Sequence, residues 1–312
     1  MMIFLKQRIL FSFLTVMLCA LSYAQPIPDS LRKKRTQLIA GINIAGYGTS
    51  IYLLNNAWYK NYPKGPFRVF KDGKEWNQMD KVGHVWSTYM LGAPSAAMWR
   101  WTGMSETAST LLGGLTGLAF LTGVEMLDAH SAKWGWSWGD MAANAAGSSL
   151  FIGQQLGWKE QRLMLKFSFH HNRYSDPQLR QRANELYGST WYERMLKDYN
   201  AQTYWLSVNV RAFAPKSNWP AWLNVAAGYG ADGLFGGFEN VAMDENGNIR
   251  FDRRDVPRSR QFYLSPDIDL TRIKTNKKWL KTTLTVLNIF KTPAPALELG
   301  TNGKLRVRPV YF

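Results

Sequence analysis

Trp158-Lys159-Glu160-Gln161-Arg162-Leu163-Met164-Leu165-Lys166-Phe167-Ser168-Phe169-His170 is the stretch that decides the fold. Before it the chain runs in charge-free stretches of helical length. After it Leu163, Leu165, Phe167 and Phe169 alternate with Met164, Lys166, Ser168 and His170, the period of a strand with one buried face. Trp158-Lys159-Glu160-Gln161 holds no Pro, Gly or Ser, so the boundary is a change of pattern rather than a flexible linker. The expected fold is α+β: an N-terminal helical bundle of about four helices over residues 25–160, then a mostly antiparallel β region with one or two helices over 161–312, packed on the bundle.

Upstream of the boundary, residues 36–59, 82–99, 107–124 and 141–158 contain no Asp, Glu, Lys or Arg. Each is long enough for a helix crossing about 27 Å at 1.5 Å per residue. Composition pulls the other way, since Thr107–Val124 holds four Gly, four Thr and one Ser, weak hydrophobicity for insertion. Gly113 and Gly117, with Ala142, Ala143, Ala146 and Gly147, set small residues at helical spacing, which lets backbones approach closely. A tight bundle, soluble or half sunk in a bilayer, and a set of spanning helices both fit this pattern.

Downstream, alternation recurs in Tyr204–Ala212 and Phe262–Leu270, with a further strand over Trp222–Tyr229. Ala296–Gly300 and Lys304–Phe312 flank Thr301-Asn302-Gly303 and read as a hairpin, and Asn246-Gly247 turns a weaker one between Val241 and Phe251. Asp176-Pro177 opens a polar helical run to about Asn200, while Leu280–Phe290 reads as helix or strand. Arg306 and Arg308 share a face with the terminal Phe312 and would meet lipid if these strands formed a membrane barrel, at about 2–4 kcal/mol each. A sheet packed on the bundle is the plainer expectation.

The chain has 312 residues, 46% hydrophobic and 14% aromatic, ample for a packed core, so disorder and a disulfide scaffold are excluded. Its formal charge of +16 makes an anionic surface the natural neighbour, and no nucleic-acid motif is present. Lys6 and Arg8 precede the uncharged run Ile9–Leu21, and Ser22-Tyr23-Ala24 offers small residues to a signal peptidase. Residues 1–24 are expected to be a signal peptide, which places the chain in the periplasm or outer membrane of a Gram-negative bacterium. The single cysteine, Cys19, lies in that segment behind Leu18 rather than a small residue, so neither lipid attachment there nor cysteine chemistry in the exported chain is expected.

Three polar pairs stand out in the helical half. Asp80 and His84 are four apart near the start of the second helix, Glu125 and Asp128 three apart near the end of the third, and Asp140 and Asn144 four apart at the start of the fourth. If consecutive helices run antiparallel, all six meet at one end of the bundle. His84 would serve as base or ligand and Asp80 would orient its ring. Glu125 and Asp128 would hold a divalent cation or protonate a leaving group, so His84, Glu125 and Asp128 are the candidate metal ligands. Asn144 would donate to a substrate oxygen. Helix N-termini at that end favour an anion, hence a phosphate-bearing lipid or glycan. Against this, Ser137-Trp138-Gly139-Asp140 has the spacing of a capping box and Asn77-Gln78-Met79-Asp80 a weaker one, while Glu125 and Asp128 have Lys133 and Lys81 as nearby counterions. A buried polar network that fixes helix packing accounts for the same residues. Trp134, Trp136 and Trp138 suit either head-group level or packing at a bundle end.

Asp80-Lys81-Val82-Gly83-His84, then Glu125-Met126-Leu127-Asp128, then Gly135-Trp136-Ser137-Trp138-Gly139-Asp140-Met141-Ala142-Ala143-Asn144 with Gly147, resembles the YfiM-like family of predicted periplasmic lipoproteins, a domain of unknown function. The likeness spans residues 77–155, and the longer chain is similar to larger Bacteroidetes members. A looser likeness to VanZ-type membrane proteins lies in the Asp-Lys-x-x-His start and the Asp-x-x-x-Asn-x-x-Gly helix. The resemblance implies an envelope location and no established activity. Two functions follow: a noncatalytic envelope protein bound to a membrane surface or anionic lipid, or an enzyme acting on a phosphate-containing lipid or envelope glycan through His84 and the carboxylates.

Overall fold

The computed structural model describes residues 27–59, 62–244 and 246–312, so the expected signal segment with Cys19 lies outside the described residues. Contacts divide the chain into two compact units. One comprises the described residues through Lys71 together with Ser87–Gln161; the other comprises Asp72–Trp86 and Arg162–Phe312.

The first unit is helical. Helix α1 (Asp29–Leu54) runs into a π turn at Asn55–Tyr59. Helix α2 (Met79–Trp101) is shared, its residues through Trp86 belonging to the second unit. Helices α3 (Glu106–Ala129) and α4 (Trp138–Trp158) complete the expected four. Ser105 and Ser137 cap α3 and α4, accepting from Ala108 N at 3.2 Å and Asp140 N at 3.0 Å. Gly113 and Gly117, expected to permit close approach, do so: a Cβ on Gly117 would stand 2.8 Å from Thr88 O. A Cβ on Gly113 would stand 2.4 Å from Ala96 N, and one on Gly92 would meet the Phe151 ring at 2.5 Å. Among the described residues α3 alone is long and apolar enough to cross a membrane. Helix α1 buries only Ile39 and leaves Leu38, Ile44 and Tyr52 exposed.

The second unit is built on an antiparallel sheet of six strands in the order β1-β2-β3-β6-β7-β8. These are β1 (Leu163–Phe169), β2 (Gln202–Val208), β3 (Leu223–Asp232), β6 (Ser259–Ile268), β7 (Ala294–Gly300) and β8 (Leu305–Tyr311). Strands β4 (Val241–Met243) and β5 (Ile249–Asp252) form the separate hairpin expected around Asn246-Gly247. The β7–β8 hairpin turns with Gly303 at φ 75°, as its Asn-Gly signal predicts.

Two expectations are corrected here and one open alternative is resolved. The polar run after Asp176 is two helices, α5 (Pro177–Tyr187) and α6 (Trp191–Lys197), because Gly188 leaves helical backbone at φ 83° and Thr190 restarts the chain with a capping box to Glu193. Strand β2 stops at Val208, where Asn209 caps the single turn α7 (Val210–Phe213) by accepting from Ala212 N at 3.0 Å. The ambiguous segment before Pro293 is helix α8 (Lys278–Leu287).

The largest surprise is which face of the sheet is buried. Residues directly opposite on neighbouring antiparallel strands share a face. One row crosses the whole sheet as Leu165, Leu206, Ala227, Leu264, Leu297 and Val307; the row behind it reads Lys166, Trp205, Gly228, Tyr263, Glu298 and Arg306. Lys166, Trp205, Tyr263 and Glu298 are buried, whereas Leu206, Leu264, Leu297 and Val307 are exposed. Alternation separated the two faces, and it misassigned the surroundings of the apolar one over β6–β8, whereas Phe167 and Tyr204 on that face are buried. Arg306 and Arg308 accordingly turn away from the apolar face, to Glu298 at 3.5 and 2.7 Å, and would not meet lipid there.

Candidate functional site

Of the six sequence-predicted residues, two lie in stretches assigned to the second unit and four in stretches assigned to the first. Asp80 and His84 belong to the second. Just before them, Trp76, Asn77 and Gln78 occupy left-handed backbone at φ 49°, 51° and 61°. That conformation costs a non-glycine residue roughly 1–2 kcal/mol. Trp76 N donates to Gly237 O at 2.7 Å, and the Tyr229 hydroxyl donates to Asn77 O. Gln78 Nε2 donates to Gly73 O at 2.7 Å, and Arg260 donates to Gln78 Oε1 at 2.6 and 3.2 Å. Asn77 is therefore no cap of α2, contrary to expectation; it sits inside a strained turn that its neighbours hold. Met79 then plugs the helix start into a cluster of Phe167, Tyr204, Ala231 and Leu234. Gly83 lets the helix pass the Tyr204 hydroxyl, which a Cβ would approach to 3.0 Å.

On this fixed turn, Asp80 accepts from the Tyr199 hydroxyl at 3.0 Å and lies 3.4 Å from Lys81 Nζ. Lys81 makes its shorter pair with Asp72, at 2.5 Å. His84 Nε2 is 3.8 Å from Asp80 Oδ1, within ion-pair range but too long for a hydrogen bond. Asp80 thus does not orient the imidazole by a direct hydrogen bond as expected. Both side chains keep a fraction of their surface open, 15% for His84 and 26% for Asp80. Burial, then the Asp80 charge, push the Tyr204 hydroxyl above the usual phenol range.

Glu125, Asp128, Asp140 and Asn144 belong to the first unit. Ser137 caps α4 as its spacing predicts, but the carboxylate that receives the Ser137 N–H, at 3.1 Å, is that of Glu125 from α3. The box therefore takes its acid from another helix rather than from Asp140. Asp128 accepts from the Tyr59 hydroxyl at 2.8 Å, tying α3 to the end of the π turn. Lys133, expected as a counterion for these acids, donates to Tyr62 at 2.8 Å and lies over the Tyr62 and Trp134 rings. Glu125, Asp140 and Asn144 are buried. The loop into α4 is held by Arg68, which donates to Ala132 O and Trp134 O at 2.7 and 2.6 Å. Trp136 lies between Phe67 and Trp138, and Trp138 is exposed.

A third polar group escaped the sequence reading. Lys166 Nζ pairs with Asp267 Oδ2 at 2.7 Å and donates to Asn288 Oδ1 at 2.9 Å and Ile268 O at 2.8 Å. Asp267 also accepts from Ser207 at 2.7 Å and from Thr292 Oγ1 at 2.9 Å, with Lys291 Nζ 3.9 Å away. Burial alone would raise the Asp267 carboxyl, but Lys166 and these donors bring it below the ordinary carboxylate range. Burial lowers the Lys291 amine to about 8 against the pull of Asp267. Nothing in the sequence flagged this group, because Lys166 falls on the side of β1 that its polarity assigns to water.

No curated protein and no solved structure matches the chain. Residues 69–152, which contain all six predicted site residues, match a family described as predicted periplasmic lipoproteins, a domain of unknown function (DUF2279).

Proposed function

We propose that the chain is an exported protein of the cell envelope, held at the outer membrane, with a noncatalytic structural or binding role. The observation that carries this reading is the match of residues 69–152 to predicted periplasmic lipoproteins, a description that supports an exported envelope location. The finer likenesses, to the YfiM-like group, to larger Bacteroidetes members and to VanZ-type proteins, belong to the same reading. The polar groups of the matched segment support it through their local work: Glu125 completes the α4 cap, Asp128 ties down Tyr59, and Asp80 receives Tyr199. Each bond joins elements within its own unit, the role of a packing network.

A second reading rests on the strained turn before Asp80 and His84, since backbone strain concentrates where geometry serves function. In it the protein is a hydrolase or transferase for a phosphate-containing lipid or envelope glycan, His84 the base, Asp80, Glu125, Asp128, Asp140 and Asn144 its partners, and a divalent cation rests on His84, Glu125 and Asp128. Replacing His84 by Gln separates the two. Under the structural reading His84→Gln retains the wild-type melting temperature and complements a deletion strain; loss of complementation with an unchanged melt favours the enzyme. Metal analysis adds a check independent of phenotype, because a stoichiometric ion lost on Asp128→Asn contradicts a purely structural cluster.

A further inference from the structure

From the inverted polarity of the sheet and the charge of α8, we infer that the exposed apolar face of β3, β6, β7 and β8 and helix α8 together form a docking surface for an anionic lipid bilayer. This deepens the envelope reading above by naming the surface and its partner.

Four observations within the second unit carry it. First, over β6, β7 and β8 the sheet is polar inside and apolar outside, while on β1 and β2 the same apolar face carries Phe167 and Tyr204, buried in the Met79 cluster. Polar groups of the buried side pair with one another: Lys166 with Asp267, Glu298 with Arg308, and Tyr311 donating to Tyr263 at 2.9 Å while contacting Thr203 at 3.0 Å. A water-facing antiparallel sheet is arranged the other way, and apolar-out, polar-in strands are the pattern of sheets that meet hydrocarbon.

Second, the apolar exterior is continuous rather than scattered. Leu206, Leu264, Leu297 and Val307 lie in one cross-strand row; Phe262, Leu299 and Leu305 lie in the next, at 46–69% exposure. A shallow open groove runs among Trp219, Val225, Leu264, Pro266, Leu297 and Val307. Contiguous apolar surface of this kind marks an interaction site.

Third, α8 segregates its residues by face. Trp279, Leu280, Leu284, Val286 and Leu287 occupy one side, and Lys278, Lys281, Thr282 and Thr285 the other. None of its residues is buried, and Trp279 is 64% exposed. Amphipathic helices with lysines on the polar face and Trp and Leu on the other lie in the membrane interface.

Fourth, the charge around α8 has one sign. From Thr271 to Leu297 there are six cations and no Asp or Glu. Lys274, Lys277, Lys278 and Lys281 are exposed, without an acidic partner among the described residues. Basic segments next to an apolar surface gain from anionic head groups. The helix leads into the sheet edge, where Phe290 pairs with Phe167 of β1 as a parallel bridge.

Vesicle sedimentation of the purified protein tests the inference. Vesicles of phosphatidylethanolamine with phosphatidylglycerol are expected to pellet the protein, and pure phosphatidylcholine vesicles to bind it at least tenfold less. Lys274→Gln, Lys277→Gln, Lys278→Gln and Lys281→Gln combined should weaken binding to the anionic vesicles at least tenfold and remove its salt dependence. Leu264→Glu with Leu297→Glu should abolish binding while the near-ultraviolet spectrum and melt stay unchanged, since both positions are exposed. A nitrobenzoxadiazole probe on Val307→Cys, in a Cys19→Ser background, should brighten on vesicles, reporting an apolar environment at the sheet itself.

Binding that ignores both sets of substitutions, or a probe that stays in water, overturns the inference. So does a wild-type dimer that Leu264→Glu with Leu297→Glu turns into a vesicle-indifferent monomer, which would assign the face to a second copy of the chain. Failure here with envelope fractionation intact leaves the envelope reading standing; vesicle binding by a protein that cells retain in the cytoplasm sinks that reading instead.

Discussion

The residue scale holds the largest local energies. Asp267 is the anionic partner of two lysines whose side chains have no solvent exposure. Removing it leaves two buried amines facing each other, and the loss of one partner of a buried pair costs about 3–5 kcal/mol. Asp267→Ala should lower unfolding stability by that order in urea titrations, with Lys291→Met costing much less because it removes the excess charge.

The left-handed turn makes a second claim. Asn77 keeps its side chain out of the contacts that pin the turn, which use its carbonyl. Asn77→Gly should therefore leave stability within about 1 kcal/mol of wild type, whereas the β-branched Asn77→Val, poorly suited to positive φ, should cost about 2 kcal/mol or more in the same titration.

His170 gives the acid response a direction. Burial lowers its imidazole below the ordinary histidine value, the Asp198 charge opposing. The unfolded chain then binds the proton more readily than the native one, so stability is complete above the unfolded value near 6.5 and falls as pH drops from there toward the lowered native value. His170→Gln should flatten that limb in melts taken between pH 7.5 and 5; an unchanged slope would show that other groups set it.

At the scale of elements, the glycines in α3 and α4 are the sharpest test of helix packing. Gly113 leaves no room for a side chain beside the Ala96 backbone. Gly113→Val should shift the α2–α3 packing and lower the melting temperature by several degrees, while Gly153→Ala, with nothing within 4 Å, should raise it slightly or leave it alone.

Elements were also the most legible part of the sequence. Four charge-free stretches gave the four helices, and Asn302-Gly303 gave the β7–β8 turn. The break at Gly188 was harder to see because the flanking residues continue a polar helical pattern, and only the Thr190–Glu193 box marks the restart. The left-handed turn at Trp76–Gln78 could not be read at all. It contains no glycine, and its conformation is imposed by Tyr229, Gly237 and Arg260, distant in sequence. In the candidate site, Ser137 as the cap of α4 was legible from its spacing, whereas Glu125 as the acid of that cap was not, since it reaches across from another helix.

The whole molecule turns on a property that periodicity cannot supply. Alternation separates two faces of a strand, yet says nothing about which one meets solvent. Here the polar face is inside, closed by its own ion pairs and hydroxyl bonds, and the apolar face is exposed over β6–β8, with a basic amphipathic helix in the same unit. A charge of +16 complements an anionic surface, and α3 is long and apolar enough to cross a bilayer. The docking surface proposed above would draw its membrane affinity from the folded chain itself.

Fractionation of cells carrying the chain at native level tests this most directly, by following it through osmotic release, membrane pelleting and a high-salt wash. Wild type should pellet with the envelope, and Leu264→Glu with Leu297→Glu should shift it into the osmotically released fraction. Recovery of the wild type itself in that soluble fraction would contradict the account.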